Sequence, residues 1–182
     1  MLHLKIPKTE IWDASIQEFV LIPECNLMLE HSLISVSLWE SKWHKPFLSD
    51  DKKSQEEALD YIRCMVINKN YDDRILYALP SECVNKIEAY ILDPMTATTV
   101  REKETSKTVR KRIITSEVIY YWMTYFNIPF DCEKWNLNRL LMLIKVCAAE
   151  QNAQAPKKAS SKGMSEMAKL NAYRKQKYNT TG

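Results

Sequence analysis

Residues 115 to 146 read TSEVIYYWMTYFNIPFDCEKWNLNRLLMLIKV, the most apolar stretch of the chain, and their reading decides the fold. Val118, Ile119, Trp122, Tyr125 and Phe126 recur at three- and four-residue spacing, which places them along one face of a helix. Pro129 breaks that run. Leu137, Leu140, Leu141, Ile144 and Ala148 then repeat the pattern. Two helices joined by Asn127-Ile-Pro-Phe130 are expected to pack as an antiparallel hairpin and supply the centre of the core. On this reading Trp122 and Tyr125 face inward. Tyr120 and Tyr121 cannot both join them, so either one of the pair is an exposed contact or the helix is buried on two sides.

The stretches before this pair are also mostly helical. Val84, Ile87 and Ile91 mark an amphipathic helix ending before Pro94, and a helical turn from Asp73 to Leu79 precedes Pro80. Ser54-Gln-Glu-Glu57 is a capping box, in which serine and glutamate satisfy each other's amides. It opens a helix over 54 to 67 with Ala58, Ile62, Met65 and Val66 on one face. Ser32 caps a helix carrying Val36, Trp39 and Trp43 that Pro46 stops, although the Ile34/Val36/Leu38 alternation would also suit a strand. Residues 1 to 30 look extended. Leu2, Leu4 and Ile6 alternate with polar neighbours, Glu18-Phe-Val-Leu-Ile22 is ended by Pro23, and Asn26 to Glu30 forms the next strand. Residues 94 to 112 are polar and irregular, an exposed loop or ribbon.

The fold class is therefore mainly α (α+β), a helical domain with a small N-terminal β-hairpin or sheet and a basic C-terminal tail. Its parts are an N-terminal β segment over 1–30, a helical core over 31–150, and a basic linker and tail over 151–182. At 182 residues the chain has room for one ordinary domain. Residues 151–182 hold seven Lys/Arg against one Glu, so the tail is +6; with +3 overall, the remainder is −3.

Composition excludes several chemistries. The only glycines are Gly163 and Gly182, so the glycine-rich phosphate loops and nucleophile elbows of nucleotide-binding and hydrolase motifs are absent in their usual forms. Five widely spaced cysteines include no CxxC pair and read as reduced, mostly core thiols. Met1-Leu-His-Leu-Lys-Ile lacks the features of a secretory signal, and no run approaches the roughly 18 apolar residues of a membrane helix. A soluble, cytoplasmic protein is expected, without cofactor or metal.

No catalytic constellation emerges. His3, His31 and His44 stand in no ligand motif, and His44 reads as a surface or turn residue. Glu56, Glu57, Asp60, Asp72 and Asp73 read as solvated faces and caps. Interaction is the stronger signal. Arg101, Arg110, Lys111 and Arg112 fall in a stretch of six Lys/Arg and two Glu, a net +4, suited to phosphate or an acidic protein surface, or to plain solvation. Met167, Leu170 and Tyr173 recur at threes in a basic segment with Arg174, Lys175 and Lys177. That segment reads either as an amphipathic helix that docks in a partner's groove or as a solubilising tail. Tyr120, Tyr121 and these two basic segments are the candidate partner-binding residues.

Several blocks together resemble a family of small proteins encoded in the tail-morphogenesis regions of phages and prophages, associated with tail assembly chaperones. They are Glu30-His-Ser-Leu-Ile-Ser-Val-Ser-Leu-Trp-Glu-Ser-Lys-Trp43, Lys45-Pro-Phe-Leu48, Asp60-Tyr-Ile-Arg-Cys64, Asp93-Pro-Met-Thr-Ala-Thr-Thr99, Ile114 to Trp122, Ile128-Pro-Phe130, Leu137 to Leu141 and the basic end from Leu170. The first 29 residues and 102–111 have no counterpart, and Asn136 stands where the family is expected to carry histidine. The resemblance implies a non-enzymatic chaperone in the host cytoplasm that binds the tape measure chain and tail-tube subunits. Two alternatives stand beside it: a structural part of the virion tail or head-tail connector, and a nucleic-acid-binding accessory protein using the basic segments. Self-association is compatible with all three.

Overall fold

The computed structural model describes residues 1–13, 16–68, 70–99, 113–154 and 161–178, with the backbone alone for residues 154 and 161–166. Residues 1–148 form one compact unit and 149–182 a second. The protein is mainly helical with antiparallel strands at its N-terminus, and the strands share a core with the helices that follow.

Four strands come first: β1 (Leu2–Ile6), β2 (Thr9–Asp13), β3 (Glu18–Ile22) and β4 (Cys25–Leu29). β1 pairs with β4 and β2 with β3. The pairings Ile6↔Cys25 and Thr9↔Ile22 lie on one continuous register, so the two pairs are halves of a single long hairpin arm. Pro7-Lys8 and Pro23-Glu24 face each other at its middle. Proline has no N–H to give the ladder, so pairing lapses there. The alternation inverts across the gap. In the base half Leu4, Ile6, Leu27 and Leu29 are buried, whereas in the distal half Ile11, Val20 and Ile22 lie on the covered side. The distal half thereby packs on a short tight helical segment, Asp73–Ala78, where Arg74 Nη1 holds Asp13 Oδ2 at 2.9 Å.

Helix α1 (Leu33–Trp43) starts at Ser32, whose side chain accepts from the Ser35 amide, which settles the helix-or-strand alternative. It ends at His44, whose φ of 52° is left-handed and exposed. Helix α2 (Gln55–Met65) opens with the complete Ser54/Glu57 capping box. Its buried face is Glu57, Asp60, Tyr61, Ile62 and Met65; Ala58, expected on that face, is exposed. Past α2 the chain lies against β4, with the Ile67 amide donating to Met28 O at 2.8 Å and the Glu30 amide to Met65 O at 2.9 Å. Helix α3 (Ser81–Leu92) leads to irregular, mostly exposed chain over 93–99. Asn138 fastens that exit by donating from Nδ2 to the carbonyls of Ile91 and Asp93.

Helices α4 (Ser116–Tyr125) and α5 (Leu137–Gln154) are separated by a short helical segment, Phe130–Lys134, that the expected four-residue connection did not contain. α4 rests chiefly on α1, burying Ser116, Ile119 and Met123. Of the face expected inside, Ile119 is sealed and Val118, Trp122 and Phe126 are half-buried, but Tyr125 is exposed while Met123, from outside that face, is sealed. The physical reason is that α4 is apolar nearly all round, so periodicity could not choose between its faces. α5 buries Leu137, Leu140 and Ile144 as expected, with Leu141 and Ala148 half-buried.

The second unit includes α6 (Ser161–Tyr178). Its described side chains, 167–178, are all exposed. No helix among the described residues is long and apolar enough to cross a membrane.

Candidate partner-binding surfaces

Titratable groups inside the first unit are committed to holding elements together. Glu57 and Asp60, expected on solvated faces, are buried. Asp60 Oδ1 accepts from Lys42 Nζ and from Arg63 Nη1, and Oδ2 accepts from Trp43 Nε1 at 2.9 Å. Burial pushes its pKa up, but these three donors outweigh burial and hold the carboxyl below its usual range. The Lys45 ammonium and the Ser54 amide likewise hold Glu57 low. Lys42 and Lys45 belong to α1 and its exit, so local reading of α2 could not have seen either pairing.

Glu40, also buried, ties the exit of α1 to the start of α4: Oε1 accepts from the Phe47 amide and Oε2 from the Ser116 amide, each at 2.7 Å. His31 shares a buried hydrogen bond between Nδ1 and the Tyr61 hydroxyl, and its carbonyl accepts from the Leu137 amide at 2.7 Å. Burial lowers the His31 pKa to about 4 despite the adjacent Glu30, so the ring is neutral near pH 7. Glu30 accepts from Tyr90 at 2.6 Å and pairs with the N-terminal amine at 2.9 Å. Glu30, His31 and Ser32 are thus the junction where β4, α1, α2, α3 and α5 meet. Among the described residues no group of three or more His, Cys, Asp or Glu is placed to hold a metal ion. The described cysteines are all free thiols.

The open side of α4 borders a groove of about 560 Å³ against α5, entirely within the first unit. Tyr121, Trp122, Tyr125 and Phe126 form one wall and Leu141 and Ile144 the other. Tyr121 is 60% exposed and Tyr125 is 56% exposed. Their rings stack at 6.2 Å, one helical turn apart, and Tyr125 meets Phe126 edge-on at 5.0 Å. Between the two adjacent tyrosines the structure makes the choice the sequence left open. Tyr121 is the exposed one, while Tyr120 is half-buried with its hydroxyl donating to Glu133 at 2.9 Å.

A second apolar surface was not singled out in the sequence. On the outer face of the distal arm, Trp12 pairs across strands with Phe19, edge-to-face at 5.1 Å, and Glu10 with Leu21. Trp12 is 52%, Phe19 70% and Leu21 50% exposed. Thr9-Glu-Ile-Trp-Asp13 carries no clear alternation, so the sequence marks β3 by its β-rich run but offers no comparable signal for β2. Of the other candidates, Met167, Leu170, Tyr173, Arg174, Lys175 and Lys177 are exposed on α6. Arg101, Arg110, Lys111 and Arg112 lie outside the described residues.

Comparison of the chain with known protein families, with curated proteins and with solved structures gave no match.

Proposed function

We propose that this protein is a non-enzymatic phage tail assembly chaperone, working in the host cytoplasm, that holds an apolar helix-forming stretch of the tape measure chain and brings tail-tube subunits to it. The observation that carries the reading is the aromatic groove between α4 and α5. A long assembly-prone chain exposes apolar stripes until its coat arrives, and a trough walled by stacked tyrosines on one side and leucine and isoleucine on the other suits such a stripe. Aromatic side chains give large contact area with few torsions to freeze, which is why they dominate binding energy. The blocks that resemble tail-morphogenesis proteins include part of each wall: Tyr121 and Trp122 in Ile114 to Trp122, and Leu141 in Leu137 to Leu141.

The test is co-expression with the tape measure and tail-tube proteins of the same phage, followed by affinity purification, with purified virions assayed in parallel. The tape measure protein should copurify with the wild-type chain and be lost with Tyr121→Ala/Tyr125→Ala, while virions lack the chain. Retention of the tape measure by the double variant refutes the groove. Stoichiometric presence in virions moves the assignment to a structural tail or connector component.

A further inference from the structure

We infer that the protein self-associates, the outer face of the distal β-arm of one copy receiving helix α6 of a second copy. The two surfaces match in chemistry. Residues 9–22 contain three acids and no Lys or Arg. Arg74 occupies Asp13, whose cross-strand partner Glu18 lies on that same side, which leaves Glu10 beside the exposed Trp12, Phe19 and Leu21 on the outer face. Residues 167–178 contain four cations and no acid. On α6, positions 167, 170, 174 and 177 follow one another at spacings of three and four, so Met167, Leu170, Arg174 and Lys177 share a face, with Tyr173 at its edge. Cations are therefore interleaved with apolar side chains on α6, as Glu10 is with aromatics on the arm.

That interleaving favours a protein surface over a phosphate backbone, which would use the cations and leave the apolar stripe wet. Guanidinium and ammonium groups also bind aromatic faces, so Trp12 and Phe19 suit Arg174 and Lys177 twice over. An exposed apolar ribbon of this kind is a liability unless something covers it. One helix on one short ribbon is a small contact. Each copy carries both halves, however, and a closed pair with twofold symmetry makes the contact twice, toward the roughly 1,200–2,000 Å² typical of stable interfaces.

The experiment is sedimentation equilibrium of the full-length chain across protein concentration at low and high salt. A dimer that weakens with salt is expected. Trp12→Ser/Phe19→Ser and Leu170→Ser/Tyr173→Ser alter exposed side chains, so both variants should keep the wild-type circular dichroism spectrum. Each alone should weaken dimerisation by about 30-fold or more. Mixed together, they should form a one-contact heterodimer, because the arm of one variant and the helix of the other are intact. Glu10→Lys should weaken the dimer, and adding Arg174→Glu should restore it. A chain that stays monomeric at low salt overturns the inference, as does a dimer that survives both apolar variants, or mixed variants that fail to pair. Tape measure copurification is a separate readout, so failure here leaves the chaperone proposal standing and failure there leaves this one.

Discussion

Replacing Glu40 with alanine should destabilise the first unit by about 2 to 6 kcal/mol. The carboxylate accepts from two backbone amides far apart in sequence, Phe47 and Ser116, and no other acceptor is seen for either among the described residues. A buried donor left without its partner costs about 1 to 3 kcal/mol, and two are orphaned together. A negative group at the start of α4 adds about 0.3 to 1 kcal/mol through the helix dipole, and water entering the vacated space pulls the total toward the lower end. Against a typical stability of about 5 to 15 kcal/mol, this is a large fraction. Urea unfolding followed by tryptophan fluorescence measures it directly, because Trp39 is buried beside Glu40 and its environment reports the local core. Glu40→Gln should fall between wild type and alanine, since its amide oxygen can satisfy one donor while its NH2 group meets the other. Glu56→Ala, on the exposed side of α2, should stay within about 0.5 kcal/mol. If Glu40→Ala also stays within about 0.5 kcal/mol with an unchanged slope, the carboxylate is not what joins α1 to α4.

Acid should destabilise the protein early because of His31. Its folded pKa of about 4 lies below the ordinary 6.5, so between those values the unfolded chain takes up a proton that the folded chain refuses. Stability therefore falls as pH drops through that window, by up to about 3 kcal/mol, and His31→Gln should flatten the dependence measured by urea midpoints at pH 7, 6 and 5. Below it, Asp60 and Glu57 add a second loss of stability, since their depressed pKa values must be crossed from above. Ser54→Ala should cost about 1 kcal/mol by removing half of the capping box, read as a lower thermal midpoint; an unchanged midpoint would mean the α2 terminus is held by Lys45 and Glu57 alone. Tyr121→Ala/Tyr125→Ala should leave the thermal midpoint within about 2 °C of wild type, because both rings are mostly exposed. A larger drop would make the groove wall a structural element and not a docking surface.

Features whose causes lie within a few residues were legible in the sequence. Ser32 and the Ser54/Glu57 box start α1 and α2 because a side chain three positions away supplies the missing partner. Proline sets limits near 46 and 94 and between α4 and α5; alternation marked β1, and a β-rich run ended by Pro23 marked β3, with β4 following it. The apolar face of α5 was legible for the same reason, since its polar residues lie on the other side. Tertiary structure decided everything whose partner is distant. Which side of α4 is covered depends on α1, because the helix is apolar on both sides; hence Tyr125 and Tyr121 lie open while Met123 is sealed. Glu57, Asp60 and Glu40 are buried because Lys45, Lys42 and two remote amides arrive to satisfy them. The inversion of the arm at Pro7 and Pro23, which brings Trp12 and Phe19 to the surface, is seen only where the distal half packs on Asp73–Ala78. Local sequence specifies where elements begin and end; burial is a property of what they meet.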